Sequence, residues 1–207
     1  MRLEPVTLEG RHVRLEPLSL AHVGALVAVG KGPRETFELT TVPGDEAAMG
    51  RYVEAALADH AAGRALPFAT VAHDTGRVVG STRFGNVEFW AWPQGNPHQR
   101  GAHLPDVVEI GWTWLAPDAQ RSGINTEAKL LMLTHAFEVW RVHRVSLNTD
   151  ARNTRSREAI LRLGARFDGV LRGARVASDG VIRDTAAYSI LEAEWPAVKA
   201  GLTSKLR

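Results

Sequence analysis

The sequence Gln120-Arg121-Ser122-Gly123-Ile124-Asn125 is a polar turn that contains one glycine. It follows an apolar run over residues 107–115, which predicts a strand, and leads into residues 125–140, whose apolar spacing predicts a long helix. The first N–H groups of a helix have no partner within the helix, and the helix dipole gives that end a partial positive charge. The turn therefore predicts a seat for a phosphate or pyrophosphate, and Gly123 would let the backbone approach that ligand closely.

The bulk composition is that of an ordinary globular chain. Its 207 residues are 44% hydrophobic and 23% charged, which predicts a single domain over residues 1–207 with a sizeable core. We find no apolar run of 18 residues and no apolar leader segment, so we expect neither a membrane partner nor a signal peptide. The absence of cysteine excludes disulfides, thiol nucleophiles and cysteine-based zinc sites, and it fits a cytoplasmic protein.

Charge is distributed unevenly along the chain. The net charge is only +2, which is too small to indicate a nucleic-acid partner. Residues 141–183 nevertheless hold ten arginines and four acidic residues. This segment is either a solvated surface or a basic rim around a polyanionic ligand.

The remaining pattern predicts short strands with helices between some of them. Predicted strands cover residues 7–15, 67–73, 78–84, 107–115, 142–149, 167–171 and 185–191. Predicted helices cover residues 20–29, 45–62, 125–140, 153–163 and 192–206. Residues 90–106 carry two Trp but no periodicity, so we expect an irregular loop insertion that serves as a lid or as an interface. The order favours a mixed α/β sheet.

This order of elements resembles the GNAT acetyltransferases, which transfer an acyl group from a CoA thioester to an amine. The RimJ/RimL-like branch, named for ribosomal-protein N-terminal acetyltransferases, is the most similar. The matching pieces are the turn at 120–125, Arg11-His12-Val13-Arg14-Leu15-Glu16-Pro17, Glu109-Ile110-Gly111-Trp112, Asn153-Thr154-Arg155-Ser156, Leu163-Gly164-Ala165 and Arg183-Asp184 before Tyr188. Asn125 departs from the small residue that is usual at its position.

The resemblance implies a fold class and a cofactor. The fold is α/β (α+β): a mixed, mostly antiparallel sheet with helices on both faces, splayed between two central parallel strands. The cosubstrate is acetyl-CoA, with its pyrophosphate on the turn backbone and its pantetheine along the open strand edge. No metal is expected. Cofactor-binding residues are then Trp112, Thr113, Trp114, Leu115, Gln120, Arg121, Ser122, Gly123, Ile124, Asn125, Asn153 and Arg157.

Three residues are candidates for the chemistry. Glu109 lies in an otherwise apolar strand and is the candidate base, acting through a water, although a structural role is the alternative. The resemblance implies that Ser156 faces the CoA sulfur, while a position near a helix start equally suits capping. Tyr188 is the fallback acid or a core residue. For Asn153 the alternative to cofactor binding is a role as helix cap. For Arg157 the alternative is an exposed arginine without a role in the site.

The predicted function is therefore transfer of acetyl from acetyl-CoA to a primary amine. The predicted acceptor segments, residues 34–45 and 90–106, hold few acidic residues, which favours a peptide or a neutral amine over a polyamine or a cationic drug. The acceptor predicted here is the N-terminal α-amine of a protein or peptide. The alternatives are a small-amine or antibiotic acetyltransferase and a non-catalytic acyl-CoA-binding protein of the same fold. Exposed aromatics in the loop at 90–106 would also suit a homodimer.

Overall fold

One mixed sheet of eight strands organises the molecule. The computed structural model describes residues 3–32, 34–101 and 103–206. The strands lie in the order β1-β2-β3-β4-β5-β6-β8-β7, and the β5–β6 pair is parallel whereas the other neighbours are antiparallel. Their bounds are β1 Leu8–Glu9, β2 Val13–Pro17, β3 Leu66–Ala72, β4 Val78–Glu88, β5 Val107–Leu115, β6 Arg144–Asp150, β7 Arg166–Val176 and β8 Ile182–Leu191.

Helices cover both faces of the sheet. The α-helices are α1 Val23–Gly30, α2 Glu46–Ala61, α3 Gly123–Thr134, α4 Thr154–Arg162 and α5 Trp195–Ser204. Apolar residues of α1 and α2 form one buried cluster, which includes Leu26 and Met49. Residues of α3, α4 and α5 join the larger cluster on the other face, with Met132 and Leu202 fully buried. The predicted fold class is confirmed.

The parallel pair separates after a short contact. The pairing of β5 with β6 joins residues 107–109 to residues 144–146, although β5 continues to Leu115 and β6 to Asp150. Beyond Glu109 the facing edge of β5 therefore has no strand partner within the described residues. A wedge-shaped gap opens between the two strands, as the resemblance predicted.

Several element boundaries differ from those predicted; β7, for example, was predicted over residues 167–171 and covers Arg166–Val176. Residues 7–15 form two strands, because the carboxylate of Glu127 accepts the N–H groups of Arg11, His12 and Val13 and holds a turn there. Helix α3 begins at Gly123, two residues early, because Ser122 caps it. Its predicted last turn, at 135–139, is π-helical.

The loop between β4 and β5 packs against the sheet end where β5 and β6 start. The Trp90 ring stacks on His143, with centroids 5.6 Å apart and planes 2° apart. The indole N–H of Trp92 donates to Asp106 at 2.7 Å. Ala102, within the predicted insertion, lies outside the described residues. Both Trp side chains are therefore held at the opposite end of β5 from the turn at 120–125.

Candidate active site

A groove of about 870 Å³ follows the gap between β5 and β6. Its walls come from the open edge of β5, the turn before α3, the start of α4 and the hairpin of β7 and β8. Most of the predicted site residues line it. These are Glu109, Trp112, Thr113, Trp114, Leu115, Gln120, Arg121, Ser122, Asn125, Asn153 and Ser156.

The segment between α1 and α2 crosses this groove. Its backbone carbonyl at Thr36 accepts a hydrogen bond from the Arg155 guanidinium of α4. Its carbonyl at Glu38 accepts from the Ser178 hydroxyl, 3.3 Å away, in the turn between β7 and β8. The groove is therefore roofed on one side while its polar walls remain in place.

A bulge distorts the open edge of β5. The register with β4 sets Trp112 and Thr113 of β5 against Thr82 of β4 alone, and Trp112 has φ 51°. Such a backbone costs a bulky residue about 1–3 kcal/mol. The Arg83 guanidinium lies over the Trp112 ring, with its Cζ 5.0 Å from the ring centroid. The ring also occupies the space that a side chain at Gly85 would fill. The bulge is thus held by packing, and it re-aims the backbone groups of the exposed edge.

The turn before α3 is held by its own side chains. Arg121 has φ 60°, and the Ser122 hydroxyl accepts the Ile124 N–H at 3.3 Å while it donates to Ala119 at 2.7 Å. The Gln120 amide donates to the carbonyl of Leu115 at 2.9 Å. These contacts set the helix N-terminus toward the groove and leave its other first-turn N–H groups available.

Packing explains why a glycine is found at position 123. A Cβ there would lie 3.2 Å from the His12 ring, so the glycine accommodates the turn between β1 and β2. Neither Gly123 nor Ile124 is among the residues that line the groove. A groove ligand would therefore meet these two residues only through their backbone.

Glu109 is nearly buried at the point where the two strands separate. Its side chain is 6% exposed, and its Oε2 accepts from the amides of Asn86 at 2.7 Å and Asn148 at 2.9 Å. A Cβ at Gly111 would stand 3.0 Å from its Oε1. The carboxylate borders the groove and also a second cavity of about 390 Å³.

The start of α4 supplies two polar groups. Asn153 caps the helix, because its side-chain oxygen accepts the Ser156 N–H at 3.0 Å. Its side chain also lines the groove wall. The Ser156 hydroxyl has no hydrogen-bond partner within the described part of the chain and is half-buried.

The structure does not bring Tyr188 and Arg157 into the groove. Tyr188 is 1% exposed, and its hydroxyl accepts from Arg157 Nε at 3.0 Å. Arg157 also donates to the Ala151 carbonyl and lies over the Phe167 ring. The two side chains are hydrogen-bonded to each other in the core below α4. Neither residue therefore has a role in the function proposed below.

Comparison with known proteins identifies the family. Residues 12–166 match the domain described as "Acetyltransferase (GNAT) domain". The chain belongs to the GNAT acetyltransferase family. This confirms the family expected from the sequence and the prediction of an acetyltransferase enzyme.

Individual GNAT relatives include proteins of the expected branch. A candidate ribosomal N-acetyltransferase of Bacillus subtilis, YdaF, is 33% identical over 92 residues, which are 44% of this chain and 49% of that protein. The matched part is thus about half of that relative. A candidate acetyltransferase from T. thermophilus is 35% identical, with a TM-score of 0.79 over 100% of both chains. RimJ of Mycobacterium smegmatis, solved with CoA-disulfide, shares the fold at 24% identity, with a TM-score of 0.79 over 98% of this chain and 96% of that one.

Lys129 is a groove residue that the sequence interpretation missed. It is 5% exposed, and its Nζ donates to the hydroxyls of Thr113 at 2.6 Å and Thr82 at 3.1 Å. Burial lowers the pKa of Lys129 from 10.5 to about 7. Its place on the apolar side of α3, three residues before the buried Met132, is the signal that could have revealed it.

Basic side chains dominate the groove walls. Arg155 is close to the turn at 120–125, since its guanidinium is 3.4 Å from the Gln120 amide oxygen. Among the described residues that line the groove, the acidic ones are Glu109 and Glu158. The basic ones are Arg121, Lys129, Arg155, Arg162, Arg175, Arg183 and Lys205.

Two further findings concern metal sites and membrane-spanning helices. Among the described residues, no group of three His, Asp or Glu side chains is placed to hold a metal ion. No described helix has the length and apolar character needed to cross a bilayer.

Proposed function

We propose that this GNAT protein transfers acetyl from acetyl-CoA to the N-terminal α-amine of a protein or peptide. One observation carries the proposal. The buried carboxylate of Glu109 opens onto the same groove as the unpaired edge of β5 and the N-terminus of α3. A base, a strand edge for an extended ligand and an anion seat therefore lie along one groove.

The groove suits acetyl-CoA at each of its parts. The free edge of β5 offers backbone groups to the pantetheine amides in the manner of an added strand. The N-terminus of α3, with Arg121 and Arg155 beside it, offers N–H groups and positive charge to phosphates. RimJ of Mycobacterium smegmatis was solved with CoA-disulfide, which supports this assignment. The cosubstrate supplies the acetyl thioester.

Glu109 is the group that takes the proton from the acceptor amine. An ammonium cannot attack a thioester, so a base within reach of the amine, directly or through one water, is required. Asn86 and Asn148 hold the carboxylate by one oxygen and leave Oε1 free for this water. The second cavity, which Glu109 also borders, gives the proton a way out of the groove.

Ser156 and the bulge in β5 stabilise the negative charges that develop on the sulfur and on the carbonyl oxygen. The Ser156 hydroxyl has no acceptor within the described residues, so it can donate to the departing sulfur. The re-aimed backbone near Trp112 can donate to the oxyanion of the tetrahedral intermediate. Asn153 keeps Ser156 in place through the helix cap.

The acceptor class follows from charge and relatives. A site for a polyamine would carry several carboxylates, whereas the described groove lining is basic apart from Glu109 and Glu158. The B. subtilis relative carries a ribosomal N-acetyltransferase name, which supports a protein or peptide α-amine. A cytoplasmic location and a homodimer stay predictions of the sequence.

A matched set of acceptors tests the proposal. The purified protein is mixed with acetyl-CoA and a tetrapeptide amide, and release of free thiol is followed with time. We expect release with a free N-terminus and none with the same peptide after N-terminal acetylation. Release with spermidine or an aminoglycoside, and none with peptides, would contradict the proposed acceptor. Tight acetyl-CoA binding without release for every amine would instead indicate a non-catalytic binding protein.

A further inference from the structure

Two arginines stand directly opposite each other on the last two strands. Arg175 of β7 and Arg183 of β8 are register partners, and both line the groove that contains Glu109. Like charges directly across a strand pair are destabilising. Arg175 is exposed and Arg183 is partly buried, and an anion bound between them would relieve their repulsion.

The charges of Asp150 and Glu109 act to raise the pKa of Arg183, but among the described residues no carboxylate pairs directly with either guanidinium group. Within the described residues neither makes a salt bridge, because Arg152 binds the neighbouring carboxylates, Asp150 at 2.7 Å and Asp179 at 2.9 Å. The Nε of Arg183 is buried without a hydrogen-bond partner. Desolvation, and then the charge of Arg175, lower the pKa of Arg183.

Other donors in the groove are unsatisfied as well. The hydroxyl of Tyr52, on α2, and the indole N–H of Trp114, on β5, are buried without hydrogen-bond partners, and both side chains line the groove. With the Nε of Arg183 they are three buried donors that no acceptor in the described part of the chain satisfies.

The phosphates of CoA do not account for the arginine pair. Arg121 lies in the turn before α3, where phosphates are expected, and the Arg155 guanidinium of α4 is 3.4 Å from the Gln120 amide oxygen of that turn. Arg183 instead lies within electrostatic range of Glu109, whose charge acts to raise its pKa. Glu109, Arg175 and Arg183 also line the same groove, so a ligand bound beside Glu109 shares that groove with the pair.

We infer that the acceptor carries a carboxylate close to its reacting amine and that Arg175 and Arg183 bind this carboxylate. The inference rests on the proposed acetyl transfer and specifies one chemical feature of its acceptor. A peptide whose second residue is acidic places a carboxylate beside the α-amine, and a free amino acid does so with its own carboxylate. Arginine pairs bind carboxylates with charge-assisted, often bidentate hydrogen bonds.

Binding to an inactive variant tests the inference without turnover. The probes are Ala-Glu-Ala-Ala amide, Ala-Gln-Ala-Ala amide, free alanine and alaninamide, titrated by calorimetry into E109Q saturated with CoA. We expect Ala-Glu-Ala-Ala amide to bind about tenfold more tightly than its Gln counterpart. Tighter binding of free alanine than of alaninamide, with no preference between the peptides, would assign the pair to a free amino acid. Equal affinities within both pairs, or no binding of any probe, would overturn the inference.

Substitution of the arginines supplies the second half of the test. In the E109Q background we expect R183Q and R175Q each to abolish the preference for the carboxylate. R172Q is the matched control, because Arg172 is exposed on the same strand and does not line the groove. A weaker affinity for CoA with the preference unchanged would make the pair a phosphate site and overturn the inference. Failure of the proposed function is a separate result, namely no thiol release from acetyl-CoA by the unmodified protein with any amine.

Discussion

Lys129 illustrates the free-energy cost of burying an ammonium group without a carboxylate partner. Within the described residues its ammonium has only the hydroxyls of Thr82 and Thr113 as hydrogen-bond acceptors. Those two hydroxyls also bond each other at 2.7 Å. Removal of the amine would therefore leave neither hydroxyl unpaired.

We predict that stability depends on pH through Lys129. Its pKa is about 7 in the folded chain against an ordinary value of 10.5, so between these values the unfolded chain binds the proton that the folded chain has released. Below pH 7 both states are protonated and the burial penalty is fully present. The free energy of unfolding should thus rise above pH 7, by up to roughly 1.4 kcal/mol per pH unit.

K129M tests this prediction by urea unfolding at several pH values. We expect the variant to be more stable than the unmodified protein near pH 6 and to lose the rise above pH 7. K31M is the control, because Lys31 is exposed. An identical rise in K129M would assign the pH dependence to other groups.

Gly111 is the second single residue with a predictable effect. A Cβ there meets Glu109 Oε1 at 3.0 Å, so G111A should shift the carboxylate from its position between Asn86 and Asn148. We expect kcat to fall by roughly tenfold or more, since a misplaced base loses part of its contribution. Affinity for acetyl-CoA should stay the same.

G50A is the control for this kinetic measurement. Gly50 lies on α2, and a Cβ there meets nothing within 4 Å. Its kcat should equal that of the unmodified protein. A G111A enzyme with full kcat would show that the position of the Glu109 carboxylate does not limit the reaction.

At the scale of elements, Glu127 joins α3 to the first two strands. Its carboxylate is 7% exposed and accepts three N–H groups of the turn between β1 and β2. The His12 ring of that turn lies against Gly123 at the start of α3. The segment 11–17, which carries part of the resemblance to GNAT proteins, therefore supports the turn at 120–125 from behind.

We predict that E127A destabilises the protein by on the order of 3 kcal/mol, because three backbone N–H groups lose a charged acceptor. Chemical denaturation measures the loss. E54A, at an exposed position of α2, should change the free energy of unfolding by no more than about 0.5 kcal/mol. Equal effects of the two substitutions would refute the role given to Glu127.

The elements differ in how far the sequence determined them. Strand β5 was predicted with its observed bounds, Val107–Leu115, because its apolar run is continuous apart from a few residues. The split of residues 7–15 was not predicted, because it depends on Glu127, which lies 114 positions beyond Val13. Local pattern determines an element only where no distant side chain competes for its backbone.

The same distinction applies to the candidate site as a whole. The turn at 120–125 could be found because its parts are contiguous. Arg175 and Arg183 could not, since their opposition arises from the register of β7 with β8. Tyr188 and Arg157 looked available in sequence, yet tertiary packing pairs them in the core.

At the scale of the whole molecule, the separation of β5 from β6 makes the site. Three pairs of residues hold the parallel strands together, and beyond them the two strands are not paired with each other. Glu109 is the last residue of this pairing. The proposed base therefore lies where the groove begins, and one strand positions both this carboxylate and the edge that would hold the cosubstrate.

Comparison of E109Q with the unmodified protein tests this account most directly. Turnover of acetyl-CoA with a peptide amine and affinity for acetyl-CoA are measured on the same preparations, with E54Q as the control. We expect kcat to fall by on the order of 10²–10⁴-fold in E109Q, with affinity for acetyl-CoA unchanged. Full turnover in E109Q would contradict the assignment of Glu109 as the base.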